Sequence, residues 1–498
     1  MSAAPDPGDA EAVLAHGRAA LRAAEEEAAL PLLAEAVRRQ PGEARLWELL
    51  GQLYRALDAL APAADAFDRA AALAPDDPGI ASGRACMHQE AGRPATALFD
   101  RALALAPADD GLRFGRVSAI LAERGRAAAL ATLEGELAER PGWTQGQARL
   151  ANLRWQSGDR AGFTRELERA LEQTPYHLDL WGALLAALSR AGLHEELRAA
   201  ARCGRDAGGA HLMFDAYEAA ALDRMGEIEA AAPLYAAMQP IGDPSVALFH
   251  LAHLFRAGRI GEAAALAEHW SGTSAGALFV SYLGVAWRLL GDSRWAWLEG
   301  DERLVGIYDL GEAVGPLDAL AARLRALHLA RGAPLDQSVR GGSQTEGALF
   351  ARTEPEIRAL RAALARAVRG HIDQLPPRDP VHPTLGPPRD RPIRFAGSWS
   401  VRLAGGGSHV VHRHSGGWLS SAFYVALPDE AERGPGEAGW LALGEAPEEI
   451  GIALPPTRLI EPRPGLLVLF PSTMWHGTRP FVAGERLTVA FDVAMPLS

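Results

Sequence analysis

Three histidines fall within the six residues HVVHRH, 409 to 414, of a chain that has 15 in all. Histidine is the commonest protein ligand for transition metals, so the first chemistry to consider is metal binding. In a strand, residues two apart share a face with α-carbons about 6.5 to 7 Å apart, which points His412 and His414 the same way. Two such imidazoles can close on one ion with metal–nitrogen bonds of about 2.0 to 2.2 Å. His409, at an odd offset from both, faces the other way if the strand is regular. A third ligand must come from elsewhere. His476, in FPSTMWHGTRPF, is the only other histidine from Ile393 onward and lies 64 residues on (476 − 412). Ten residues later (486 − 476) comes Arg486, with Thr488 on the same strand face. A buried carboxylate needs a charge-assisted, preferably bidentate partner, which arginine supplies.

The elements that must position these residues are short strands. IRFAGSWSVRLA, WLSSAFYVALP, GWLALG, GLLVLFPS and RLTVAFDVAMP, all beyond residue 392, are bounded by glycine, proline or charged turns, the spacing of a β-barrel or sandwich. In front of them LVGIYDL (304–310) reads as a strand opening a new domain, and EPEIRALRAALARAVR (354–369) carries apolar residues at helical steps. QLPPRDPVHPTLGPPRDRP (374–392) holds seven prolines and reads as an extended, stiff connection. RGGSQT (340–345) reads as a loop at a substrate entrance or a glycine turn, and no spacing argument assigns a role to Arg340 or Gln344.

Before residue 293 the pattern differs. Prolines recur at Pro41, Pro75, Pro107, Pro141 and Pro175, at intervals of 34, 32, 34 and 34 by subtraction, the period of tetratricopeptide repeats. Trp47, Leu50, Gly51 and Tyr54, then Ala63, Phe67 and Ala70 before Pro75, fill one repeat's pattern. About seven or eight repeats end near residue 290. The expected fold is therefore multidomain α + β. An all-α tetratricopeptide-repeat superhelix spans 1–292, and a β-jelly-roll domain with flanking helices spans 293–498, its core about 393–498. Such superhelices serve as scaffolds or hold a protein or peptide, and a partner on the repeat face is expected. His88, His250, His253 and His269 share no spacing with an acidic partner and read as ordinary surface or groove residues.

Composition excludes several functions. The net charge is −12 and the basic residues are dispersed, so the footprint of a nucleic-acid binder is missing. All 50 basic residues are arginine, which removes Schiff-base catalysis and the lysine of a phosphate loop. No apolar run approaches the roughly 20 residues of a membrane helix, and the acidic N-terminal segment lacks a signal's regions. A cytoplasmic protein with no membrane association is expected. Cys86 and Cys203, 117 residues apart (203 − 86), are expected to be buried, inert thiols.

The order RGGSQT, GSWSVRL (397–403), HRHSGGWLSSAFYVALP (412–428), PGLLVLFPSTMWHGT (464–478) and ERLTVAFD (485–492) resembles the iron(II)- and 2-oxoglutarate-dependent oxygenases. Within them it is closest to the prolyl-hydroxylase-like branch with a double-stranded β-helix, and most similar to a bacterial 2OG-Fe(II) oxygenase family often fused to tetratricopeptide repeats. The resemblance spans roughly residues 335 to 494. It implies that His412 and His476 bind iron(II) and that Arg486 holds the distal carboxylate of 2-oxoglutarate; beside that, Thr488 on the same strand and Tyr424 on the facing one read as hydroxyls that could reach the same carboxylate. The wider pattern has an acid where this chain has His414, since two histidines and a carboxylate are the usual set. The HxH form implies His414 as third ligand, leaving a net +2 ion. A water in that place with His414 behind it is the alternative, and Asp492, six residues past Arg486 and roughly 20 Å along a strand, is discounted as a ligand. His409 takes a supporting or structural role.

The implied reaction uses O2 and 2-oxoglutarate, releases succinate and CO2, and hydroxylates a protein or peptide side chain held by the repeats. Two other readings stay open: a binding scaffold whose oxygenase-like domain is inactive, and a three-histidine dioxygenase that uses no 2-oxoglutarate. The second has no need of Arg486.

Overall fold

The computed structural model describes residues 5–329, 332, 335 and 337–496, so the first four residues of the expected repeat array lie outside it. From Ala10 to Ser271 the chain forms eight helix pairs, from Ala10–Ala23 with Glu26–Arg39 to Pro244–Arg256 with Ile260–Ser271. Val280–Leu290 and the short Arg294–Glu299 follow. Several first helices begin where a side chain can cap them: Asp9, Asp77 and Asp109 each accept a backbone N–H three residues on, and Pro78 takes the first helical position.

Between pairs the packing depends on size. Phe67 inserts between two helices whose facing residues are glycines; a Cβ at Gly51 would come within 2.7 Å of its ring and one at Gly83 within 2.2 Å. Burying one such ring contributes about 1.5–3 kcal/mol, and only the neighbouring pair makes that burial possible. The result is an all-helical, tetratricopeptide-like superhelix.

Two expectations fail within it. His253 is no ordinary surface residue: it is 1% exposed, and its Nδ1 lies 2.7 Å from Asp223, thirty positions away on a neighbouring helix where spacing cannot reveal it. Cys203 is exposed and Cys86 half-buried, so the thiols are not a buried pair. No helix among the described residues is long and apolar enough to cross a membrane.

The C-terminal part is an antiparallel, jelly-roll-like half-barrel with flanking helices. Its strands are β1 (Gly306–Asp309), β2 (Val339–Gln344), β3 (Phe395–His412), β4 (Gly417–Ala426), β5 (Leu441–Leu443), β6 (Arg458–Ile460), β7 (Leu466–Pro471), β8 (His476–Thr478) and β9 (Glu485–Ala494). They run in the order β1-β7-β4-β9-β3-β8-β5-β6, with β2 joined to β3 alone. RGGSQT is thus mostly strand rather than a turn. Its alternation is hidden because Gly342 lies against β3, where a Cβ would meet the Arg402 carbonyl at 2.4 Å.

Alternation along β9 sets the two faces. Leu487, Val489, Phe491 and Val493 join one core cluster with Ile357, Leu360 and Leu364 of the helix Pro355–Gln374. Arg486, Thr488 and Asp492 fall on the opposite, inner face. At the other side of the domain, Trp475, Ala446 and Ile450 share a core with Tyr282 and Trp287 of the last repeat helices.

Candidate metal and carboxylate site

His412 ends β3 and pairs in register with His476, the first residue of β8. His414 lies two residues further, where its backbone N–H donates to the Ser472 carbonyl at 3.0 Å. One ring nitrogen from each of the three lies within 4.8 Å of the others, and the ring centroids stand 4.2 to 5.1 Å apart. Their hydrogen bonds decide which nitrogen faces inward. Nδ1 of His412 is 2.8 Å from the Val410 carbonyl, Nδ1 of His476 is 3.0 Å from the Met474 carbonyl, and Nδ1 of His414 is 2.6 Å from the Asp492 carboxylate. A carbonyl or carboxylate only accepts, so each Nδ1 carries the proton and each Nε2 offers a lone pair. Burial, reinforced by charge on neighbouring histidines, pushes His412 down to about 4 and His476 well below the usual imidazole range. Both rings are therefore neutral at physiological pH, the form a metal requires.

Residues flanking these histidines are tied to the repeat array. The Trp475 Nε1–H donates to the Ser281 carbonyl at 3.0 Å, and Ser281 Oγ donates to the Thr473 carbonyl at 2.5 Å. Arg413, between His412 and His414, turns outward, donates to the Leu278 carbonyl at 2.7 Å and lies over the Tyr282 and Trp475 rings.

Asp492 reaches the site from the side that chain distance conceals. β9 lies beside β4, which pairs it with Ser420, whose Oγ donates to Asp492 Oδ1 at 2.6 Å and sits 2.9 Å from Ser472 Oγ. It stands outside the three-nitrogen cluster and supports His414 from behind. The signal available in sequence was parity, since 486, 488 and 492 share one strand face.

His409 departs from expectation. The register shifts between His409 and His412, a bulge that brings the two rings into a stack 5.9 Å apart at 19° instead of on opposite faces. The Ser338 hydroxyl lies 3.1 Å from His409 Nδ1 and 3.2 Å from His412 Nε2. Ser338, just before β2, is a site neighbour that no motif marked.

Behind the histidines, Arg486 is 2% exposed, and no ion pair engages it among the described residues. Its Nε has no hydrogen-bond partner among the described residues, and the Tyr424 hydroxyl lies close enough to interact with the guanidinium. The guanidinium carbon lies 5.1 Å from the Tyr424 ring centroid, and Tyr424 pairs across the sheet with Thr488, itself 4% exposed. Burial lowers the Arg486 pKa and raises that of Tyr424. A buried cation without a counter-charge is strongly disfavoured, and an anionic ligand would relieve it.

Residues 397–492 match the family model described as "Putative 2OG-Fe(II) oxygenase". The match covers 96 of the 498 residues (492 − 397 + 1) and includes His412, His414, Tyr424, His476, Arg486 and Thr488. No curated protein matches the chain. Among solved structures, the helices are similar to MamA from Desulfovibrio magneticus RS-1, at 16% identity over 34% of this chain and 96% of that one, with a TM-score of 0.30. A tetratricopeptide repeat protein from Parabacteroides merdae is 16% identical over 48% of this chain and 96% of its own, with a TM-score of 0.30. Yeast Tom70 is 14% identical over 60% and 69% of the two chains, with a TM-score of 0.35.

Proposed function

We propose that the chain is an iron(II)- and 2-oxoglutarate-dependent dioxygenase that hydroxylates a side chain of a protein or peptide held by the repeat array. In this reading residues 1–292 hold the substrate and 293–498 carry the chemistry. The observation that supports it most is the pairing of two incomplete groups: three imidazoles whose Nδ1 protons are already held and whose ligand nitrogens lie within 4.8 Å of one another, and a buried arginine with no carboxylate among the described residues. Both deficits fit the same bound pair, a divalent cation and a dicarboxylate. When bound, iron(II) and 2-oxoglutarate supply O2-dependent oxidation of a C–H bond, with succinate and CO2 as co-products.

The chain's own residues orient and exclude. His412, His414 and His476 present Nε2, while Val410, Asp492 and Met474 fix each ring by holding its Nδ1 proton. Asp492 compensates part of the charge that three neutral ligands leave on the ion, the task an acid in the His414 position would perform directly. Arg486, buried beside Tyr424 and Thr488, would hold the distal carboxylate, with their hydroxyls as further partners. A three-histidine dioxygenase that dispenses with 2-oxoglutarate leaves this buried arginine without a purpose.

The test is iron(II)-, O2- and 2-oxoglutarate-dependent succinate release by the purified protein, alongside His476→Ala and Arg486→Ala. The wild type is expected to turn over 2-oxoglutarate slowly even without its protein substrate, and both variants to fall to background. Full activity in either variant, or none in an iron-loaded wild type that binds 2-oxoglutarate, overturns the reading.

A further inference from the structure

Between the repeat helices and strands β2 and β3 lies a cavity of about 1200 Å³. That exceeds the roughly 300–1,000 Å³ typical of small-molecule sites. Val410 and Val411, immediately before His412, form part of its wall. On a chain of net charge −12, this wall is an exception: it carries Arg160, Arg190, Arg224, Arg256, Arg340 and Arg402 against four carboxylates.

All four carboxylates are engaged. Asp223 accepts from the Tyr235 hydroxyl and pairs with His253, Glu448 pairs with Arg224 at 3.4 Å, Glu449 accepts from the Tyr282 hydroxyl, and Glu485 lies between Arg325 and Arg402. Arg256 donates to the backbone carbonyls of Glu449 and Glu448 at 2.8 and 3.1 Å. Arg160, Arg190 and Arg340 remain without a carboxylate among the described residues. Arg160 lies flat over the Trp155 ring, 3.5 Å from its centroid, and Arg340 reaches only the carbonyls of Gln337 and Val339.

The second observation concerns the backbone. Among the described residues β2 pairs with β3 alone, and five of its six residues, Val339 to Ser343, border the cavity. A strand edge of this kind accepts an extended peptide by main-chain hydrogen bonds.

We infer that this cavity binds an extended acidic segment of the protein substrate, laid along β2 with its carboxylates on Arg160, Arg190 and Arg340. The inference rests on the dioxygenase reading for calling the bound segment substrate. Nucleic acid, the other polyanion such a wall could attract, lacks the main-chain amides that a strand edge pairs with.

The experiment uses the full chain without iron or 2-oxoglutarate, so that it is independent of turnover. Fluorescein-labelled oligo-glutamate, oligo-lysine and glycine–serine peptides of equal length, and a single-stranded oligonucleotide, are titrated and read by fluorescence anisotropy at two salt concentrations. Oligo-glutamate is expected to bind best and more tightly at low salt, and the triple variant Arg160→Glu, Arg190→Glu, Arg340→Glu to bind it at least about tenfold more weakly. The triple variant Arg18→Glu, Arg22→Glu, Arg69→Glu, in the first two helix pairs, serves as control for the same change in net charge. The inference is overturned if the peptides bind alike, if the oligonucleotide binds better than oligo-glutamate, or if the triple variant binds as the control does. Because these side chains are solvent-exposed, unchanged melting temperatures should certify the folds, and single Arg→Gln variants repeat the comparison if the triple variant is unstable. Normal succinate release without oligo-glutamate binding sinks this inference alone; binding without succinate release sinks the dioxygenase reading alone.

Discussion

Arg55, in the second helix pair, meets Glu90 of the next pair through two hydrogen bonds of 3.0 and 2.8 Å at the surface. Arg486, on β9, carries the same guanidinium into the half-barrel, where it is 2% exposed and meets no acid among the described residues. In the repeats, arginine links neighbours that already pack, and water would satisfy it equally well, so the gain is about 0–1 kcal/mol. Inside the half-barrel the guanidinium is buried with no acid beside it among the described residues, and an uncompensated buried charge lowers stability. The contrast bears on the proposed function: Arg55 is paired as folded, whereas Arg486 has no ion pair among the described residues, and on that proposal a cation and a carboxylate complete the half-barrel.

If that contrast holds, the largest effect comes from removing a ligand. His476→Ala is expected to lose bound iron(II) altogether, measured as iron per chain after gel filtration, while the same removal at His253 in the array leaves iron content unchanged. Acidification comes next. His250, His328 and His371 are each pushed down to about 4 by burial. An unfolded histidine takes up its proton near 6.5, so between roughly 6.5 and 4 the unfolded chain binds protons the folded one refuses. The stability these neutral rings confer is whole above that window and is lost as pH falls through it, which thermal melts of the metal-free protein across the window will follow.

The repeat array was legible because a proline recurs every 32 to 34 residues from Pro41 to Pro175, so one period reports several pairs at once. The convergence of His412, His414 and His476 was legible because HRH stands at the end of one strand and WHGT opens another, each a short, chemically distinctive segment. What stayed hidden depends on pairing between strands. Asp492 looks remote when measured along β9 from Arg486, yet β4 carries it to His414. His409 turns onto His412 because of a bulge that alternation cannot report. β2 reads as a loop or a glycine turn because Gly342 is there for close packing against β3 and Gly341 for a left-handed backbone where the register shifts.

A smaller effect sharpens the role of Asp492. Asp492→Asn keeps an acceptor for His414 and loses the negative charge, so iron(II) affinity is expected to fall about tenfold, at the low end for partners of metal-bound histidine. A chelator competition measures it. The smallest effect belongs to the array: Arg55→Ala should cost less than about 1 kcal/mol in urea unfolding and leave 2-oxoglutarate binding untouched.

The central claim is that Arg486 is held without a partner so that 2-oxoglutarate can supply one. It is tested most directly by anaerobic calorimetric titration of 2-oxoglutarate into the iron(II)-loaded protein, wild type and Arg486→Leu. The account predicts one saturable site in the wild type and binding weakened about a hundredfold or more in the variant, with the variant's metal-free melting temperature unchanged or higher. Equal affinity in the two proteins would contradict it.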